Sequence, residues 1–126
     1  MSGRRVLLDS VILIDHLNGV EKATSYLERS GSTAAISAIT RAEILTGLDE
    51  ADWPPVIRLL DRFESIGIDE VVADRAARLR RTHGWKLPDA LQVAAALEHG
   101  LLFATRNTKD FSPEAHSFVR VPYTRT

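Results

Sequence analysis

The chain has 126 residues, 44% of them apolar and 26% charged, a balance that excludes a disordered chain. Sixteen Lys and Arg stand against 17 Asp and Glu, so a net charge of −1 excludes a protein that coats nucleic acid through global basicity. Cysteine is absent, which removes disulfides, thiolate metal sites and Cys nucleophiles together.

The length predicts a single domain over residues 1–126, large enough to bury a core without staples. No apolar run approaches the roughly 20 residues of a spanning helix, so no membrane partner is expected. The opening MSGRRVLLDSVILID sets two arginines before an apolar run, but Asp9 and Asp15 interrupt it and no small-residue cleavage site follows. That argues against a secretion signal and makes the cytoplasm the default location.

In chain order, Val6-Leu7-Leu8 is a short buried-strand candidate ending at Asp9-Ser10, either of which suits the cap of the helix that follows. That helix carries Ile12, Leu13 and Leu17 and stops at Asn18-Gly19. A second amphipathic segment, from about Val20 to Ser30, ends at Gly31 and leads into a strand at Ala34-Ala35-Ile36. Thr40-Arg41-Ala42-Glu43, ahead of Ile44, Leu45 and Leu48, has the form of a capping box, which predicts a helix starting at Thr40. Trp53-Pro54-Pro55 reads as a break. Val56, Leu59, Leu60 and Phe63 then mark an amphipathic helix, and Ile66-Gly67-Ile68 a weak strand. Val72, Ala76 and Leu79 mark a further helix ending at His83-Gly84.

The most informative stretch is LPDALQVAAALEHGLLFATRNTKDF, residues 87 to 111. Pro88 suits a first helical turn, and Asp89 behind it lies at the positive helix end. The alanine-rich body predicts a buried helix closing at Gly100, with a strand at Leu101–Ala104. A polar loop, Thr105 to Asp110, follows at once. Phe118 to Val121 reads as a final edge strand. Strands alternating with helices predict a small, mainly parallel α/β sandwich.

Asp9, Glu43, Asp89 and Asp110 each lie just past a predicted strand or near a predicted helix start. Singly, each has a structural explanation: an N-cap, half of a capping box, a dipole partner, a surface acid. Jointly, a parallel sheet would bring them to one edge, where ligands bind. Crowded carboxylates raise one another's pKa unless a cation neutralises them, and an oxygen-only donor set points to Mg²⁺ or Mn²⁺. Such ions activate water against phosphodiesters. The four histidines have no ligand spacing, and neither a nucleophile elbow nor a P-loop is present.

These strings also resemble a known family. LLDSVILID is similar to the opening motif of PIN domains, SAITRAEILTG to their second, and LPDALQVAAALEHGLLFATRNTKDF to their third and fourth together. The resemblance covers nearly the whole chain, with the size of the VapC-like toxins. It implies a PIN-like three-layer α/β/α sandwich and a metal-dependent endoribonuclease with Mg²⁺, or Mn²⁺, as cofactor. Its substrate would be RNA and its partner a cognate antitoxin, in a homodimer or a toxin–antitoxin hetero-oligomer. On that resemblance the acids Asp9, Glu43, Asp89 and Asp110 are the catalytic and metal-binding set. Thr105 and Asn107 would orient water or phosphate, and Arg106, with Lys109, would contact the RNA backbone. Two positions depart from the family pattern: Val11 where Ser or Asn is common, and Asn107 where an acid can stand. They keep open two alternatives, a PIN-like module without catalysis and a nuclease acting on structured DNA.

Overall fold

The computed structural model describes residues 5–30 and 33–125. Among these, five short strands form one sheet: β1 (Val6–Leu8), β2 (Ala35–Ser37), β3 (Glu64–Ile66), β4 (Leu102–Ala104) and β5 (Val119–Arg120). Their order is β3-β2-β1-β4-β5, and every pairing is parallel. Six α-helices connect them: α1 (Ser10–Leu17), α2 (Glu21–Ser30), α3 (Ala38–Thr46), α4 (Trp53–Leu60), α5 (Glu70–His83) and α6 (Leu87–Glu98). No helix among the described residues is long and apolar enough to cross a membrane.

Neighbouring strand residues face opposite layers because side chains alternate along a strand. Leu7, Ala35 and Phe103 enter one core with α5 and α6. Leu8, Ile36 and Ala104 enter the other, with residues of α1, α2, α3 and α4. The result is the expected three-layer α/β/α sandwich. Covered on both faces, β1 and β4 are continuous apolar runs rather than alternating ones, whereas the edge strands β3 and β5 carry exposed polar residues. On α6, Ala90, Val93, Ala94, Ala95 and Ala96 are wholly buried, and their small side chains let α5 lie close along it.

The chain builds β1, β2 and β3 outward on one side, then returns to place β4 on the other side of β1. The ends of β1 and β4 therefore flank the point where strand order reverses, the usual crevice for ligands in open α/β sheets.

Several boundaries differ from the sequence expectation. Helix α3 starts at Ala38, and its N-cap is Ser37, whose Oγ accepts from the Thr40 amide at 3.1 Å. Thr40 is thus inside the helix and no capping box forms, because the serine ending β2 reaches the first-turn amides sooner. The prolines of Trp53-Pro54-Pro55 sit in the first turn of α4 instead of breaking the chain, where a missing N–H costs nothing. Strand β3 lies two residues earlier than expected, at Glu64–Ile66. The helix stops at Gly19, Gly84 and Gly100 adopt φ of 80°, 74° and 67°, the left-handed region glycine enters freely. The expected stop at Gly31 lies outside the described residues.

One buried charge cluster ties the C-terminal segment to the sheet edge. Asp15 of α1, 1% exposed, accepts from Arg106 Nε at 2.5 Å, Arg106 Nη2 at 3.0 Å and Tyr123 Oη at 2.8 Å. Arg125 approaches it at 3.7 Å. Burial pushes the Asp15 carboxyl up, but the Arg106 and Tyr123 hydrogen bonds and the Arg106 and Arg125 charges outweigh that and hold it below the usual 3.8. The same burial, with the Asp15 hydrogen bond, pushes the Tyr123 phenol up. A depressed carboxyl stabilises the fold above its unfolded pKa and loses that contribution as pH falls through its folded pKa. Asp15→Ala is therefore expected to cost about 3 kcal/mol at pH 7, read by urea denaturation. The gap to wild type should narrow below pH 3.8; an unchanged gap would mean that packing, not charge, carries the effect.

Candidate metal and phosphate site

Asp9 directly follows β1. Its backbone makes it the N-cap of α1, yet its side chain completes no capping hydrogen bond. The carboxylate is 6% exposed and held from other elements instead. Thr105, directly after β4, donates from Oγ1 to Asp9 Oδ2 at 2.7 Å, and Gln92 Nε2 of α6 stands 3.4 Å from Asp9 Oδ1. Ser10 Oγ lies 3.4 Å from that same oxygen.

Glu43 lies one turn into α3, beyond any capping position, with its Oε1 3.4 Å from Gln92 Nε2. Asp89 occupies the first turn of α6, whose N-cap, Lys86, offers no side-chain cap. Asp110 is in the exposed loop after β4, where Asn107 Nδ2 donates to its Oδ2 at 3.1 Å. The loop is anchored through Thr105, whose Oγ1 also accepts from the Asn107 amide at 3.0 Å.

Electrostatics link these acids. Burial pushes the Asp9 carboxyl up, partly opposed by the Thr105 hydrogen bond. Burial raises Glu43 as well; the Ser10 hydroxyl opposes this, and the charges of Asp9 and Asp89 add to it. Asp89 is raised by burial and by the charges of Asp9 and Asp110, with Lys86 opposing. The structure thus brings Asp9, Glu43 and Asp89 within each other's field, with Asp110 acting on Asp89 from the rim.

An open cleft of about 440 Å³ lies at this edge, lined by Asp9, Ser10, Val11, Asp89, Arg106, Asn107, Thr108 and Lys109. Arg106 faces it while committing Nε and Nη2 to Asp15, which the sequence did not suggest. Its position is therefore set by α1, with only part of its guanidinium left toward the cleft. Lys109 is exposed beside it.

The donor set fits a hard divalent cation in its chemistry: carboxylate oxygens only, raised pKa values, and Arg106 already paired elsewhere. The fit is open in its spacing. Among the described residues, no three acidic, Cys or His side chains already stand close enough to chelate one ion.

The residues that sequence reasoning passed over are the neutral ones that hold the acids. Gln92 is 1% exposed, and Ser37 and Thr40 are wholly buried. The available signal was a lone amide in an apolar helix, three residues after Asp89 and so on the same face.

A model of the PIN domain matches residues 6–112. Ribonuclease VapC10 of Mycobacterium tuberculosis is 38% identical over 113 residues, covering 84% of this chain and 85% of that one. Among solved structures, a toxin–antitoxin complex from Klebsiella pneumoniae contains a chain 37% identical, with a TM-score of 0.86 over 95% of this chain and 99% of that one. FitAcB from Neisseria gonorrhoeae is 26% identical, with a TM-score of 0.69 over 93% of this chain and 97% of that one.

The raised carboxyls predict an inverted stability effect in metal-free protein. A carboxyl whose folded pKa is raised costs the fold once it ionises, and that cost vanishes below the unfolded pKa. Asp89→Asn should therefore melt at a higher temperature than wild type at pH 7 in EDTA, the advantage shrinking to nothing below pH 3.8. A lower melting temperature at pH 7 would show that Asp89 serves the helix dipole more than it suffers from its neighbours.

Proposed function

The chain belongs to the PIN-domain family, and on that premise we propose that it is an endoribonuclease, the toxin of a toxin–antitoxin pair, dependent on a divalent cation held by its carboxylate edge. The observation that carries this reading is the coupling of Asp9, Glu43 and Asp89 at the strand-order reversal, where Lys86 offsets only part of the charge at Asp89. The ribonuclease relative and the toxin–antitoxin structure support substrate class and partner: RNA, and a cognate antitoxin. The toxin–antitoxin structure supports assembly as a hetero-oligomer, and a homodimer is proposed on the family resemblance alone.

Asp9, Glu43 and Asp89 would hold the cation, Mg²⁺ or Mn²⁺, directly or through waters, with Asp110 contributing from the loop. When bound, such a cation offsets phosphate charge and lowers the pKa of water, so that no protein nucleophile is required. Thr105 keeps Asp9 aimed into the cleft through its 2.7 Å hydrogen bond. Asn107 fixes the loop twice, through its amide to Thr105 and its side chain to Asp110. Asn107, which lines the cleft, would orient water or phosphate there, while the wholly buried Thr105 acts through Asp9 and the loop. Arg106 and Lys109 supply positive charge to the RNA backbone at its rim, where phosphate contacts set register and affinity.

The test is cleavage of total RNA by the purified chain freed of antitoxin, in Mg²⁺, Mn²⁺ and EDTA. Asp9→Asn and Asp89→Asn should each lower cleavage at least about 100-fold by analogy with losing a principal electrostatic element of catalysis, and EDTA should abolish it. Metal-independent cleavage, or full activity in both variants, would overturn the assignment. Folded, metal-binding protein that cuts no RNA would favour a PIN-like module without catalysis, or a DNA substrate.

A further inference from the structure

Gln92 is the only buried polar side chain of α6, a helix otherwise lined inward by alanine and valine. Its four neighbours come from three other elements. The amide oxygen accepts from Ser37 Oγ at 3.2 Å and from Thr40 Oγ1 at 2.7 Å. The amide nitrogen lies 3.4 Å from Asp9 Oδ1 and 3.4 Å from Glu43 Oε1.

The chemistry of these neighbours fixes which way the amide points. A hydroxyl can donate or accept, whereas an ionised carboxylate can only accept. With the group turned over, its oxygen would face two carboxylates and both contacts would be repulsive. In the orientation present, the two N–H groups divide between the two acids. Ser37 Oγ already accepts from the Thr40 amide, so its own proton is free for the Gln92 oxygen. Every polar atom of the group is accounted for, as buried polar groups require.

We propose that Gln92 is a positioning residue that sets the spacing and orientation of Asp9 and Glu43 for the divalent cation. The inference rests on the metal-dependent reading above and adds to it the device that holds two repelling carboxylates side by side. A neutral donor suits that task. Lysine or arginine in its place would bind both acids and compete with the incoming cation. An apolar residue would remove the amide donor that Asp9 Oδ1 and Glu43 Oε1 share. The amide does neither: it orients the pair and leaves their charge uncompensated. Its long 3.4 Å contacts are loose enough to yield when the acids close on an ion.

The test compares wild type with Gln92→Met, near in volume and without donors, and with Thr40→Val, which removes the shorter of the two bonds locking the amide oxygen. Mn²⁺ affinity is read by isothermal titration calorimetry, and folding by the melting temperature in EDTA. Loss of a group that orients metal ligands typically weakens the metal about 10- to 100-fold. Gln92→Met should therefore bind Mn²⁺ about 10-fold more weakly or worse, and Thr40→Val should shift affinity in the same direction by less. RNA cleavage by Gln92→Met should recover at raised Mn²⁺, which a damaged fold would not allow. If Gln92→Met fails to fold, Thr40→Val alone decides. Wild-type affinity in the folded variants, with Asp9→Asn losing Mn²⁺, would overturn the inference and leave the metal reading intact. Wild-type protein that binds no Mn²⁺ would overturn both.

Discussion

Like charges gathered at one edge of a parallel sheet are the constraint around which this molecule is arranged. Parallel strands deliver their carboxyl ends to the same side, and the return of the chain to β4 beside β1 places Asp9 and Thr105 next to one another. Helices α3 and α6 start from that edge and bring Glu43 and Asp89. Burial opposes the ionisation of each acid, and at Glu43 and Asp89 the neighbouring carboxylates add to it. A fold built only for stability would have no reason to assemble such a group. The cost is borne by two large apolar layers, one under α5 and α6 and one under the other four helices.

The protein holds its acids with neutral donors. Thr105, Ser10 and Gln92 meet Asp9, and Gln92 also meets Glu43. The Arg106 guanidinium at the cleft is drawn off by Asp15, which Tyr123 Oη also binds, on the other side of the loop. That division has a physical consequence. Hydroxyls and amides fix direction without cancelling charge, so the edge stays electronegative and open to a cation. The ion pair at Asp15, meanwhile, fastens the loop that carries Asn107 and Asp110.

The architecture was legible in the sequence to a large extent, because buried parallel strands and amphipathic helices have distinct apolar patterns. Val6-Leu7-Leu8 and the helix ending at His83-Gly84 match the structure closely. The start of α3 did not, since Thr40 and Glu43 imitate a capping box while Ser37 takes the cap. Local patterns cannot say which of two competing hydroxyls the tertiary fold will use. Thr40 is in fact spent on Gln92, a contact spanning 52 residues. The acids of the candidate site were visible because their placement after strands is a local feature. Gln92, Asp15 and Tyr123 were not, because their meaning lies in partners about 50 to 110 residues away.

The two departures from the family pattern can be argued from the same geometry. Val11 is partly buried against the core that includes Leu8 and Ile12, while the preceding Ser10 turns its hydroxyl toward Asp9. The polar contact expected two residues after the first acid is thus available one residue earlier. Asn107 has an amide where an acid can stand, and that amide donates to Asp110. A carboxylate at 107 would instead repel Asp110 across the same 3.1 Å gap. The exchange removes one charge from a crowded edge and steadies the one beside it. A chain that had simply lost its activity would be free to lose such compensation as well. Here the neutral residue at 107 is engaged on both its backbone and its side chain, and both contacts lead to the acids.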